Sequence, residues 1–148
     1  MADILVKSSN LKGIKVPKKW IVKSIDDLVV IWVACGFAKG QSYFKGISEL
    51  RFKESDRIKT MSQSLKKMGI KTKATEDSLK IFGNPKSYVK KNIQIHSNLD
   101  HRIAMANFVA GQTSGANITI KGFETVKSSF PNFLKYQKKI GAIYEIKK

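Results

Sequence analysis

The run Leu28-Val29-Val30-Ile31-Trp32-Val33-Ala34-Cys35 sets the strongest limit on what this chain can fold into. It follows Ser24-Ile25-Asp26-Asp27, where Ser24 fits an N-cap and Asp27, three residues on, completes a capping pattern. The spacing predicts a helix from Ser24 to about Ala38, with Gly40 just past its end. A helix that is apolar all round has no side to give to water, so other elements must cover most of it. Asp100 opens a second helix of the same kind, with the nearly all-apolar body Ile103 to Ala110. A chain of 148 residues is long enough to build that cover in one domain.

The remaining elements alternate. Short strands are predicted at Asp3 to Ser9, Gln41 to Ser48, Asn92 to Ser97, Ala116 to Lys121 and Ala142 to Ile146. Asn10 to Lys23 reads as a loop punctuated by Gly13 and Pro17, with an extended piece at Ile14 to Val16 and Trp20 anchoring it on the core. A helix from about Ser55 to Met68 carries Ile58, Met61, Leu65 and Met68 as one apolar stripe and ends at Gly69. Ile70 to Thr75 and Leu79 to Phe82 read as a hairpin, and Gly83 to Lys91 as a lysine-rich loop. A last helix is entered through Ser129-Phe130-Pro131, with proline in its first turn and Phe130, Phe133, Leu134 and Ile140 as its apolar face.

The order strand, helix, strand, helix, strand, strand is followed by strand, helix, strand, helix, strand, so one unit occurs twice, over about 3–83 and 92–146. Phe44-Lys45-Gly46-Ile47 and Ile120-Lys121-Gly122-Phe123 echo each other at matching places. The fold class expected is α+β: two βαβαββ-type units with buried helices and outer sheets. Asp26 and Arg102 fall at equivalent helix starts, and several helix N-termini would point at one place.

Chemistry concentrates in Glu49-Leu50-Arg51-Phe52-Lys53-Glu54-Ser55-Asp56-Arg57, between a predicted strand and a predicted helix. Glu54 and Arg57 are three apart, which on a helix places them on one face. The chain has 28 lysines and arginines, of which only Arg51, Arg57 and Arg102 are arginine. In a chain that prefers lysine, arginine is kept where a planar, two-pronged grip on carboxylate or phosphate is needed. The plainer reading pairs Arg57 with Asp56 and Arg102 with Asp100. Two arginines in matching positions favour an anion site. Asp26, from spacing alone, reads as a carboxylate complementing a helix dipole. His96 reads as structural, whereas His101 shares a helix start with Arg102.

The formal charge of +17 raises nucleic acid as a partner. The lysines are scattered along every element without aromatic interleaving, so solvated faces are favoured over nucleic acid. No apolar run approaches a membrane span. The lone Cys35 lies in an apolar run, cannot form an internal disulfide, and fits a reducing, cytoplasmic setting.

Lys53-Glu54-Ser55-Asp56-Arg57, then Asp100-His101-Arg102-Ile103-Ala104-Met105-Ala106, then Ser129-Phe130-Pro131-Asn132-Phe133 together resemble the C-terminal part of the 5-enolpyruvylshikimate-3-phosphate synthase family. Ser24-Ile25-Asp26-Asp27 and the helix after it match the segment just upstream, so the resemblance covers essentially the whole chain. The enolpyruvyl transferase acting on UDP-N-acetylglucosamine shares the fold but not this pair of motifs. The resemblance implies transfer of the enolpyruvyl group of phosphoenolpyruvate to the 5-hydroxyl of shikimate 3-phosphate, by addition and elimination, with no metal and no cofactor. It implies Asp26 as proton acceptor on that hydroxyl, Lys53 beside the 3-phosphate, and Glu54 as the acid and base at the methylene carbon. Arg57 and Arg102 would clamp phosphoenolpyruvate, His101 would orient its neighbours, and Lys127 would be the basic residue near the Phe-Pro step.

Trp32 departs from the family's pattern, standing where a small side chain is expected. Length departs further: the chain corresponds to roughly the last third of a two-lobed enzyme, a partial domain whose active cleft needs a missing N-terminal lobe. The alternatives kept beside this reading are an inactive anion-binding module on the same fold and a basic nucleic-acid-binding domain.

Overall fold

A computed structural model describes residues 3–5, 7–86 and 92–147. Three helices form its centre: α2 (Leu28–Gly36), α3 (Arg57–Lys67) and α4 (His101–Ser114). They pack on one another, and the sheets lie outside them. One sheet is antiparallel, in the order β1 (Gly40–Lys45), β3 (Ser78–Gly83), β2 (Lys71–Ala74). The other pairs β4 (Asn92–His96) in parallel with β5 (Asn117–Lys121). The fold is α+β, with helices inside and sheets outside.

The apolar helix is buried as its composition requires: Leu28, Val29, Trp32, Val33 and Cys35 all lie in the core. Burial pushes the Cys35 thiol above its ordinary pKa, although a hydrogen bond with Ser42 works against this. Trp32 fits through an edge-to-face contact with Phe44 of β1, ring centroids 6.0 Å apart. Its Nε1 has no hydrogen-bond partner among the described residues. The α3 stripe Ile58, Met61, Leu65 and Met68 is fully buried. Each such side chain contributes roughly 1.5–3 kcal/mol relative to exposure. A smaller aromatic core of Phe108, Val126 and Phe133, with Phe123 and Tyr144 against it, lies under α5 (Phe133–Lys139).

The extended piece near Ile14 is present: Lys15 bridges Tyr43 in parallel, and Lys12 bridges Lys39. Both echoed glycines are left-handed, Gly46 at φ 81° and Gly122 at φ 74°, and each follows a strand and leads towards a 3-10 turn.

Several expectations need correction. The described residues of 3–9 are exposed and form no strand. Ala142 to Ile146 is not a strand either, because the Gln112 side-chain amide takes the backbone N–H and C=O of Ile143. Residues 18–23 form a short helix, α1, whose buried anchor is Ile21 and not Trp20, which is 54% exposed. Ser24 makes no side-chain cap, and a 3-10 turn at Ile25–Asp27 leads into α2. Proline is not in the first turn of α5: Asn132 holds the N-cap position, so Pro131 precedes the helix. Ile140 is exposed and adds nothing to its apolar face. His96 is exposed on β4. Residues 87–91 of the lysine-rich loop lie outside the described residues.

Candidate active site

The charged stretch is fastened before it reaches the site. After Gly46 the Asp77 carboxylate accepts from the backbone N–H groups of Gly46 at 3.2 Å and Ser48 at 3.1 Å. Those backbone bonds, Ser48 foremost, hold the Asp77 carboxyl below its ordinary pKa. Leu50, in the 3-10 turn Ser48–Arg51, is fully buried. Arg51 donates to the carbonyls of Thr75 at 2.6 Å and Glu76 at 2.8 Å, and to the Asp56 carboxylate at 2.6 Å. It therefore ties the stretch to the β2–β3 turn and is not a ligand arm. Asp56 in turn caps α3, accepting from the N–H of Lys59.

Arg57, the first residue of α3, is 1% exposed. Its Nε donates to Asp100 Oδ2 at 2.8 Å, and its Nη2 lies 3.4 Å from Asp100 Oδ1. The outer edge meets two other carboxylates: Nη1 to Asp26 at 3.0 Å and Nη2 to Glu54 at 2.7 Å. The side chains of Asp26 and Glu54 are 45% and 48% exposed, so the cluster is open to water on that side. Burial opposes the charge of Arg57, but the Asp100 bond and charge, with those of Glu54 and Asp26, raise its pKa.

Around Asp26 stand three cations. Lys53 Nζ is 3.6 Å away and also pairs with Glu49 at 2.5 Å, the bond that chiefly raises the lysine's pKa. Arg102 donates to the backbone carbonyl of Asp26 at 2.9 Å and to the Asp27 carboxylate at 3.0 Å. Burial alone would push the Asp26 carboxyl up, yet the Lys53 charge, the Arg57 bond and the Arg102 charge together lower it.

The structure thus brings together Asp26, Lys53, Glu54, Arg57 and Arg102. Arg57 pairs with Asp100 and not Asp56, and Arg102 pairs with Asp27 and not through its side chain with Asp100. Glu54 and Arg57 do meet, although Glu54 precedes the helix instead of lying on its face. His101 sits half-buried at the start of α4 and takes no part in the cluster's hydrogen bonds among the described residues. Lys127 is exposed on the 3-10 turn Phe123–Ser128, which Thr125 ties to the Leu99 carbonyl at 2.8 Å. Reading the sequence missed Asp100 as the partner of Arg57: its place before a helix announced a cap and, at most, a local pair with Arg102.

Five carboxylates, Asp26, Asp27, Glu49, Glu54 and Asp100, face Lys53, Arg57 and Arg102. On a chain of formal charge +17 this face carries more carboxylates than cations, and each of its cations is paired before any ligand arrives. Its chemistry is that of exposed carboxylates held beside fixed cations: they can accept or deliver protons next to a bound anion. Among the described residues no group of three or more His, Cys, Asp or Glu side chains could hold a metal ion. A cavity of about 210 Å³ between α3 and β4, lined by Thr60, Gln63, Ser64, Lys67, Ile95 and His96, does not include the cluster.

The family model described as EPSP synthase (3-phosphoshikimate 1-carboxyvinyltransferase) matches residues 1–136. A 3-phosphoshikimate 1-carboxyvinyltransferase of Ruthia magnifica subsp. Calyptogena magnifica is 42% identical over 141 residues, covering 95% of this chain and 32% of that protein. Its counterpart in Petrotoga mobilis is 41% identical over 143 residues, covering 97% and 33%. The solved EPSP synthase of Acinetobacter baumannii superposes with a TM-score of 0.86 at 39% identity, over 94% of this chain and 32% of that one. The enolpyruvyl transferase NikO of Streptomyces tendae, at 15% identity and a TM-score of 0.53, shares the fold alone. The chain spans about a third of the length of the curated relatives it matches.

Proposed function

This chain belongs to the EPSP synthase family, and from that premise we propose that it supplies one face of an active site transferring enolpyruvyl from phosphoenolpyruvate to shikimate 3-phosphate. That step belongs to the shikimate pathway of aromatic amino-acid biosynthesis. The observation that supports this reading most is the convergence of Asp26, Glu54, Arg57 and Arg102, from three separate helix starts, on one water-open face. In this reading Asp26 accepts the proton of the attacking hydroxyl. Glu54 delivers and later removes the proton at the methylene carbon. Lys53 lies against the shikimate phosphate, Arg57 and Arg102 against phosphoenolpyruvate, with His101 and Lys127 at the margin. The two units, 3–83 and 92–146, form part of one lobe, and the setting is cytoplasmic. No helix among the described residues is long and apolar enough to cross a membrane.

Both substrates carry several negative charges, and the cations of this face are already paired with carboxylates. Further cations must come from outside this chain, supplied by the remaining two thirds that relatives carry. The chain alone therefore binds weakly and does not turn over. The test mixes it with both substrates and follows phosphate. The expected result is no enzyme-like release from the chain alone, and release when the N-terminal two thirds of the Ruthia relative is added. Asp26→Ala and Glu54→Ala should each abolish the restored rate. Salt-sensitive binding to random DNA with no response to phosphoenolpyruvate would favour the nucleic-acid reading instead.

A further inference from the structure

Asp100 is completely buried, yet it is the most heavily bonded carboxylate of the site. It accepts from Arg57 Nε and Nη2, from Ser55 Oγ at 3.0 Å, and from the backbone N–H groups of Arg102 at 2.9 Å and Ile103 at 3.3 Å. A helix cap needs only the last two. The others fix a guanidinium. Held along its Nε edge, Arg57 can turn only its Nη1/Nη2 edge outward, and that edge faces Asp26 and Glu54. The same carboxylate grips the first turn of α4, which carries Arg102.

The approach to Asp100 is strained. Asn98 and Leu99 are both left-handed, at φ 53° and 60°, and Leu99 is exposed, so packing of its side chain does not explain the conformation. Four bonds hold the turn: Asn98 to Thr60, the Leu99 N–H to Ser97 Oγ, the Asp100 N–H to the Ser97 carbonyl, and Thr125 to the Leu99 carbonyl. Strain of this kind persists where the surroundings over-determine a position.

We propose that Asp100 is the positioning residue of this site: its buried carboxylate sets the ligand-facing edge of Arg57 and the placement of Arg102 together. The proposal rests on the functional reading above for the ligand, but not for the geometry. Asp100→Asn keeps an N-cap oxygen for α4 and removes the charge that grips Arg57.

The experiment is nitrogen-edited NMR on the whole chain. In the natural protein the Arg57 Nε–H should be resolved and slow to exchange. In Asp100→Asn it should exchange with solvent while the backbone amides of α3 and α4 stay in place. Titration with phosphoenolpyruvate should show about a tenfold weaker affinity in Asp100→Asn, the loss of one charge-assisted grip. Arg57→Lys should add almost nothing on that background, since both changes act through one group. Unchanged affinity in a folded Asp100→Asn, or losses that simply add, overturns the proposal. Should that variant not fold, Asp100→Ser, which also caps, takes its place. Should neither fold, fast exchange of Arg57 Nε–H in the natural protein overturns the proposal and slow exchange supports it. If the chain ignores phosphoenolpyruvate even beside the N-terminal two thirds of the Ruthia relative, the functional reading fails while the Nε–H comparison still decides the role of Asp100.

Discussion

An arginine at 1% exposure is tolerated only because three carboxylates meet it. Removing it strands Asp100, which has no exposure through which water could compensate. Arg57→Ala should therefore cost about 3–5 kcal/mol in urea denaturation, the range for breaking a buried ion pair. A cost below about 1 kcal/mol would mean the pair is not buried in solution. Asp26 makes the opposite kind of test, through pH. Its pKa is lowered from 3.8, so the folded state holds fewer protons than the unfolded one as the group titrates. Its stabilising share is complete above the unfolded value and lost as pH falls through the lower, folded one. Asp77 shifts the same way and adds to it. Asp26→Asn combined with Asp77→Asn should flatten the fall in melting temperature below about pH 4. Lys53 runs in reverse: its raised pKa gives a contribution present below 10.5 and lost as pH rises through the folded value.

Elements here are set as much by close approach as by propensity. A Cβ on Gly83 would lie 2.3 Å from the Ala38 carbonyl and 2.4 Å from that of Cys35, backbone atoms that cannot swing aside. A Cβ on Gly46 would meet nothing within 4 Å among the described residues, but the backbone φ there is 81°. Gly83→Ala should thus destabilise by more than Gly46→Ala, whose cost is the left-handed penalty of roughly 1–2 kcal/mol. Equal losses in chemical denaturation would contradict the packing of α2 against the end of β3. Leu65→Ala, inside the α3 stripe, should cost about 2–5 kcal/mol. That stripe, the hairpin of β2 and β3 and the Asp100 cap were all legible in the sequence, because periodicity, turn residues and capping are local. The strands expected at 3–9 and 142–146 were not formed, because a strand also needs a neighbour. Gln112 satisfies Ile143 instead, from more than thirty residues away.

Across the whole molecule the two tryptophans report on the core. Trp32 is inaccessible, while Trp20 is 54% exposed between Lys19 and Lys23, whose Nζ atoms lie 5.9 and 6.0 Å from its ring centroid. Iodide should quench one component of the fluorescence, and Trp20→Phe should remove that component and leave the rest unquenched. Residual quenching in the variant would show that α2 is not enclosed. By itself the sequence determined the fold class, since an all-apolar helix can persist in water only under other layers, and it nominated Asp26, Lys53, Glu54, Arg57 and Arg102 through motif and resemblance. Only the tertiary structure decided the pairing. Arg57 found Asp100 across 43 residues of chain, and Arg102 found Asp27 across 75. An ion pair depends on distance in space, and spacing along a chain carries that information only within a turn of helix or a tight loop.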